Sequence, residues 1–101
     1  MSQINNVFLD SKSQLLLVMS LTPAATAAAS SVEQSFAVPS GTPALRTTDR
    51  VLVMGPGSGN ALALGGARVA DATHIDVAFI NPTAGSLTHA AGSFSFLIVR
   101  A

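Results

Sequence analysis

The chain contains no cysteine, no tryptophan and no tyrosine, and charged side chains make up only 10% of its 101 residues. Each shortage closes off some chemistry. Without cysteine there is neither a disulfide framework nor a thiolate metal site. Without tryptophan or tyrosine there is little to build a platform on which sugars or bases stack. Soluble domains carry about 25% charged residues, so this chain has an unusually uncharged surface to present. Its five Lys and Arg are balanced by five Asp and Glu, for a net charge of zero. Lys12, Arg46, Arg50, Arg68 and Arg100 are scattered along the sequence. A duplex-binding face needs several cations together to neutralise phosphates, so nucleic acid is not an expected partner. No apolar run approaches the roughly 20 residues of a membrane-spanning helix, and a membrane is not expected either.

What is present is an apolar, alanine-rich chain with 49% hydrophobic residues. Its length suits one domain, which buries roughly 60% of its unfolded surface around a single core. Near-zero net charge favours association, and large apolar patches on a surface mark contacts. Part of this surface is therefore expected to be covered by partners.

The N-terminal third has the outline of a secretory signal peptide: LLLVMSL (15–21) follows Lys12, and ATAAAS (25–30) stands where a cleavage site would. A long leading region containing Asp10, a short apolar run and the early Pro23 oppose that reading. The segment is expected to belong to the folded domain.

Residues 1–13 read as an extended arm that docks on a neighbour through Ile4, Val7, Phe8 and Leu9, ahead of one β domain over 14–101. Gln14–Leu21 is apolar throughout and is expected to be a strand buried on both faces. TPAATAAASS (22–31) reads as a loop or short extended link. Val32–Val38 alternates, with Val32, Gln34, Phe36 and Val38 on one face, and ends at Pro39 and Gly41. Arg50–Met54 is a short apolar strand. GPGSGN (55–60) is a loop. Ala61–Leu64 and Ala67–Ala70 are strand pieces around Gly65 and Gly66, glycines that mark a bulge or bend. His74–Ile80 places Ile75, Val77 and Phe79 on one face and His74, Asp76 and Ala78 on the other. NPTAGSLTHAAG (81–92) is a long loop. Ser93–Arg100 closes the chain, with Phe94, Phe96 and Ile98 on one face and Leu97 and Val99 on the other. Short strands at roughly 10-residue spacing predict an all-β fold, a small antiparallel β-sandwich or jelly-roll-like barrel.

Reactive patterns are weak. GPGSGN has Asn60 where a dinucleotide fingerprint needs its third glycine, and no lysine for a phosphate loop. His74, His89, Asp71 and Asp76 are the available metal ligands, but their spacing closes no four-ligand set. Ser58 lacks the flanking glycines of a nucleophile elbow. No catalytic, cofactor or metal residue is assigned, and the chain is not expected to be an enzyme or to take a small-molecule substrate.

EQSFAVPS (33–40), GGARVADATHIDVAFINPTAG (65–85) and GSFSFLIVR (92–100), in that order, resemble small virion proteins of tailed bacteriophages that act as head decoration, or cement, proteins. The resemblance does not reach residues 1–30. It implies a core built by Ile75, Val77 and Phe79, a loop at one end shaped by Asn81–Gly85, and no catalytic residues. It implies binding to the major capsid protein at the phage head surface, as a homotrimer that stabilises the shell. The alternative is another phage structural role, as a tail, fibre or adaptor module. A secreted carbohydrate-binding sandwich would need an aromatic or calcium site that the sequence does not display.

Overall fold

A computed structural model describes residues 14–57 and 61–100. The arm residues Ile4, Val7, Phe8 and Leu9, and Ser58 to Asn60 of the GPGSGN loop, lie outside the described residues. The described chain is all-β. Its strands are β1 (Gln14–Leu21), β2 (Ala25–Thr26), β3 (Ser30–Ala37), β4 (Arg50–Met54), β5 (Ala63–Asp71), β6 (His74–Asn81), β7 (Leu87–Thr88) and β8 (Gly92–Val99). Six of them form one antiparallel sheet in the order β1-β8-β4-β5-β6-β3, and β2 pairs with β7 in a separate two-stranded sheet. The large sheet curls, an architecture compatible with the expected small sandwich or barrel.

The curl follows from the side-chain pattern. Successive residues of a strand point to opposite faces, and paired residues across an antiparallel ladder share a face. One row therefore crosses all six strands: Leu15, Ile98, Val51, Ala67, Val77 and Gln34. The neighbouring rows bring Leu17 against Phe96 and Val53, and Phe36 against Ile75 and Val69. These inward side chains are the core, and Ile75, Val77, Phe79, Phe94, Phe96 and Ile98 are fully enclosed. Phe36 packs edge-on to Phe79, with ring centroids 6.5 Å apart. Full burial of a large apolar side chain contributes about 1.5–3 kcal/mol over leaving it exposed, so the concave face is the main source of stability.

Backbone irregularities sit where the sheet bends. β5 shifts register against β6 between Leu64 and Gly66, and Gly66 takes φ +115°, a conformation that L side chains rarely adopt. The two strand pieces expected around Gly65 and Gly66 are thus one bulged strand. Asp71 Oδ1 accepts from the Thr73 backbone N–H at 2.9 Å and closes the turn into β6. Leu45 and Leu62, from the connecting loops, complete the core.

Two expectations change. β1 is not buried on both faces: Leu15, Leu17, Met19 and Leu21 are buried, whereas Val18 between them is 54% exposed. The loop after Asn81 contains a short strand, β7, that pairs Thr26 with Leu87 and Ala25 with Thr88. A two-residue strand is too short to show periodicity.

Phe79→Ala is expected to destabilise the domain by about 3–5 kcal/mol, as large truncations in packed cores do. Chemical denaturation measures this, and a loss below about 1 kcal/mol would contradict the core position.

Candidate functional site

The face of the sheet turned away from the core divides into two chemically different halves. On β1, β8 and β4 the outward rows are Leu16, Leu97, Leu52 and Val18, Ser95, Met54. Val99 lies in the next row, between Gln14 and Arg50. Leu52 is 63% and Met54 64% exposed, and Val99 is also open to solvent. Leu16 and Leu97 are half-buried between them. This is a contiguous apolar area with Arg50 at one end. The sequence offers no way to decide which face of these apolar strands is core. Pairing with β8, whose phenylalanines face inward, decides it.

On β5, β6 and β3 the outward face carries an ionic cluster, with the exposed Ile80 toward the end of β6. Arg68 Nε donates to Glu33 Oε2 at 2.8 Å and Nη2 donates to Glu33 Oε1 at 2.9 Å, a bidentate pair. Its Nη2 also lies 3.3 Å from Asp76 Oδ2. The hydrogen bonds from Arg68 hold the Glu33 carboxyl below the usual carboxylate range. Arg50 and Arg68 are directly opposed across the ladder, and the two carboxylates compensate the cation that is nearer to them. The ends of β5 and β6 add His74 Nδ1, 3.0 Å from Asp71 Oδ1. That nitrogen carries the proton, since a carboxylate accepts. The Thr73 N–H, followed by His74, holds the Asp71 carboxyl low.

The remaining polar groups are structural. Asn81, at the end of β6, is buried and uses its whole amide. Nδ2 donates to the carbonyls of Thr26 at 3.0 Å and Gly85 at 2.8 Å. Oδ1 accepts from the Thr83 N–H at 3.0 Å and the Thr83 hydroxyl at 2.7 Å. The NPTAG stretch is thus a knot that ties β6, its following loop and β2 together. Ala29, at φ 49°, donates its N–H to the Thr83 carbonyl and secures the same corner. Asp49 is buried; its Oδ2 accepts from the Arg46 N–H at 3.0 Å and lies 3.6 Å from Arg100 Nε. Arg100 also donates to the Ala44 carbonyl at 3.0 Å, so the pair fastens the 43–49 loop to the end of β8.

His89 is not the surface residue that its loop position suggests. It is buried, with its ring centroid 5.7 Å from Phe79 and 5.2 Å from Phe94. Nδ1 donates to the Ala90 carbonyl at 2.8 Å. His74 and Asp76 do share the outer face of β6, but the fold sends His89 into the core. Among the described residues, no group of three or more His, Asp or Glu side chains is placed to hold a metal. No helix is long and apolar enough to cross a membrane among them. The chain matches no family model, no curated protein and no solved structure.

Asn81→Ala is expected to cost about 1–3 kcal/mol in chemical denaturation, because it leaves buried groups without partners. Asn81→Asp should be worse at neutral pH, since it removes both donors and buries a charge. Glu33→Gln tests the ionic half. A carboxyl whose pKa is lowered by folding stabilises the folded state above its unfolded pKa, and that stabilisation is lost as pH falls through the folded value. The stability difference between wild type and Glu33→Gln should therefore be present at neutral pH, shrink with salt, and vanish in acid.

Proposed function

We propose that the chain is a capsid decoration protein, which binds the major capsid protein on the outside of a phage head and reinforces the shell. The observation that carries this reading is the exposed apolar half of the outer face, formed by Leu16, Val18, Leu52, Met54, Leu97 and Val99. Exposed apolar areas of this kind mark protein contacts. The surrounding residues are compatible with a purely adhesive role. Glu33, Arg68 and Asp76 form a compensated cluster on the other half, and the buried Asn81 and Asp49 side chains tie loops to strands. The resemblance to cement proteins supplies the partner. Adhesion to a repeating shell requires a rigid body with one sticky face, and a small sheet with an over-determined core is such a body.

In this reading Leu52 and Met54 meet the shell, with Ile4, Val7, Phe8 and Leu9 of the N-terminal arm as a second point of attachment. The test is co-sedimentation with empty shells from the source phage, together with the shells' melting temperature. Wild type is expected to sediment with shells and raise their melting temperature. Leu52→Lys should fold normally, since its side chain projects into solvent, yet lose most of the binding. Removal of residues 1–12 should weaken binding with the β domain intact. Shells that neither retain the wild-type chain nor gain stability from it would refute the reading. Retention on tails or fibres instead would favour the alternative structural role.

A further inference from the structure

The sheet has two edges, β1 and β3, and they are treated differently. An edge strand exposes unpaired N–H and C=O groups, and monomeric proteins blunt it with charge, proline, bulges or a covering segment. β3 is blunted. It carries Glu33, held in its ion pair. The side-chain amide of Gln34 grips the backbone of Ala24 through two 2.8 Å hydrogen bonds and draws the 22–24 segment against it. Among the described residues, Leu15–Leu21 of β1 shows none of these devices. Over Leu15–Leu21 it has no charge, no proline and no glycine, and it pairs with β8 in continuous register without a bulge. Among the described residues no strand pairs with its other side.

We propose that β1 is the seam of a two-fold homodimer, in which the β1 edges of two copies pair antiparallel and join two six-stranded sheets into one. The occupant is a second copy because Leu15–Leu21, uncharged and apolar but for Ser20, presents nothing that opposes its own approach. A two-fold axis normal to the sheet keeps core and outer faces aligned, and it requires paired residues of the same face. Centred on Val18, it opposes Val18 to its own symmetry mate, Leu16 to Ser20, Leu17 to Met19 and Leu15 to Leu21. Any residue-centred axis keeps the faces aligned; this one brings the buried apolar residues Leu15, Leu17, Met19 and Leu21 against one another. No charge stands on either strand to oppose the approach, and the zero net charge adds no long-range repulsion. Two-fold closure through identical patches is the commonest form of oligomer. The pairing also places the apolar outer halves of the two copies side by side, as one doubled adhesive face. It does not depend on the shell-binding reading, and shells are absent from its test.

Sedimentation velocity of the full chain is expected to give twice the 10.2 kDa of one copy. Val18→Lys places two ammonium groups face to face at the axis and should give the single-copy mass with an unchanged β spectrum. Leu52→Lys, on the same outer face but two strands in from the seam, should leave the dimer intact. Amide exchange locates the contact. In wild type the β1 amides that point away from β8 should exchange slowly; in Val18→Lys they should become fast while those bonded to β8 stay protected. A wild-type monomer at every concentration, or the three-copy mass implied by the resemblance, overturns the seam. So does loss of the dimer in both lysine variants alike, which would place association on the face rather than the edge. Should Val18→Lys not fold, wild-type exchange decides, and fast exchange of the outward β1 amides overturns the proposal.

Discussion

One constraint governs this molecule: among the described residues there is no helix and no second large sheet, so a six-stranded sheet covers its apolar face with its own curvature. Every strand of that sheet obeys the rule that results. The concave side takes Phe79, Phe94, Phe96 and the aliphatic residues paired with them, and the convex side takes whatever is left. Curvature needs local relief, which Gly66 supplies at the β5 bulge. Close wrapping needs a missing side chain, and Gly55 provides one: a Cβ there would stand 2.6 Å from the Phe94 ring. A curled sheet also has open ends, and these must be sealed by loops.

Sealing the ends is the work of the buried polar residues. A loop lying over an apolar core carries backbone groups that lose water, and each needs a partner. Asn81 answers for carbonyls and an N–H from two segments, and Asp49 with Arg100 for the 43–49 loop. His89 meets the core differently, with its ring between two phenylalanines and its nitrogen turned to the Ala90 carbonyl. Such groups are expensive to bury and cheap only when fully bonded. They specify loop positions that an all-apolar seal would leave loose.

How legible the fold is depends on whether a strand alternates. β6 alternates, and Ile75, Val77 and Phe79 are recognisable as core from spacing alone. The ends of β1 and β4 are also legible, because Leu21 and Met54 stand before turn-forming Thr-Pro and Gly-Pro. The faces of β1 and β4 are not, because Leu16 and Leu17, or Leu52 and Val53, are equally apolar. The difference between core and surface there is a property of register with β8, which is long-range information. His89 was hidden for a related reason. A histidine in a polar loop looks exposed, and only the path of β7 along β2 carries the following residue inward.

The same illegibility bears on the proposed function. A strand that needed only to bury one face would gain nothing from Leu16, Val18, Leu52 or Met54 on the other, and polar residues there would keep the chain soluble. β5, β6 and β3 show that this sequence can do so, with Glu33, Arg68 and Asp76 on the same convex surface. Val18, Leu52, Met54 and Val99 gather on β1, β4 and β8 of that surface, beside the edge left unblunted among the described residues, while Ile80 on β6 is also exposed. The two proposed contacts lie there, one through backbone groups along β1 and one through side chains across β1, β8 and β4. They point in different directions, in the plane of the sheet and perpendicular to it. A body with one in-plane seam and one perpendicular adhesive face can join a copy of itself without giving up the surface that meets another partner.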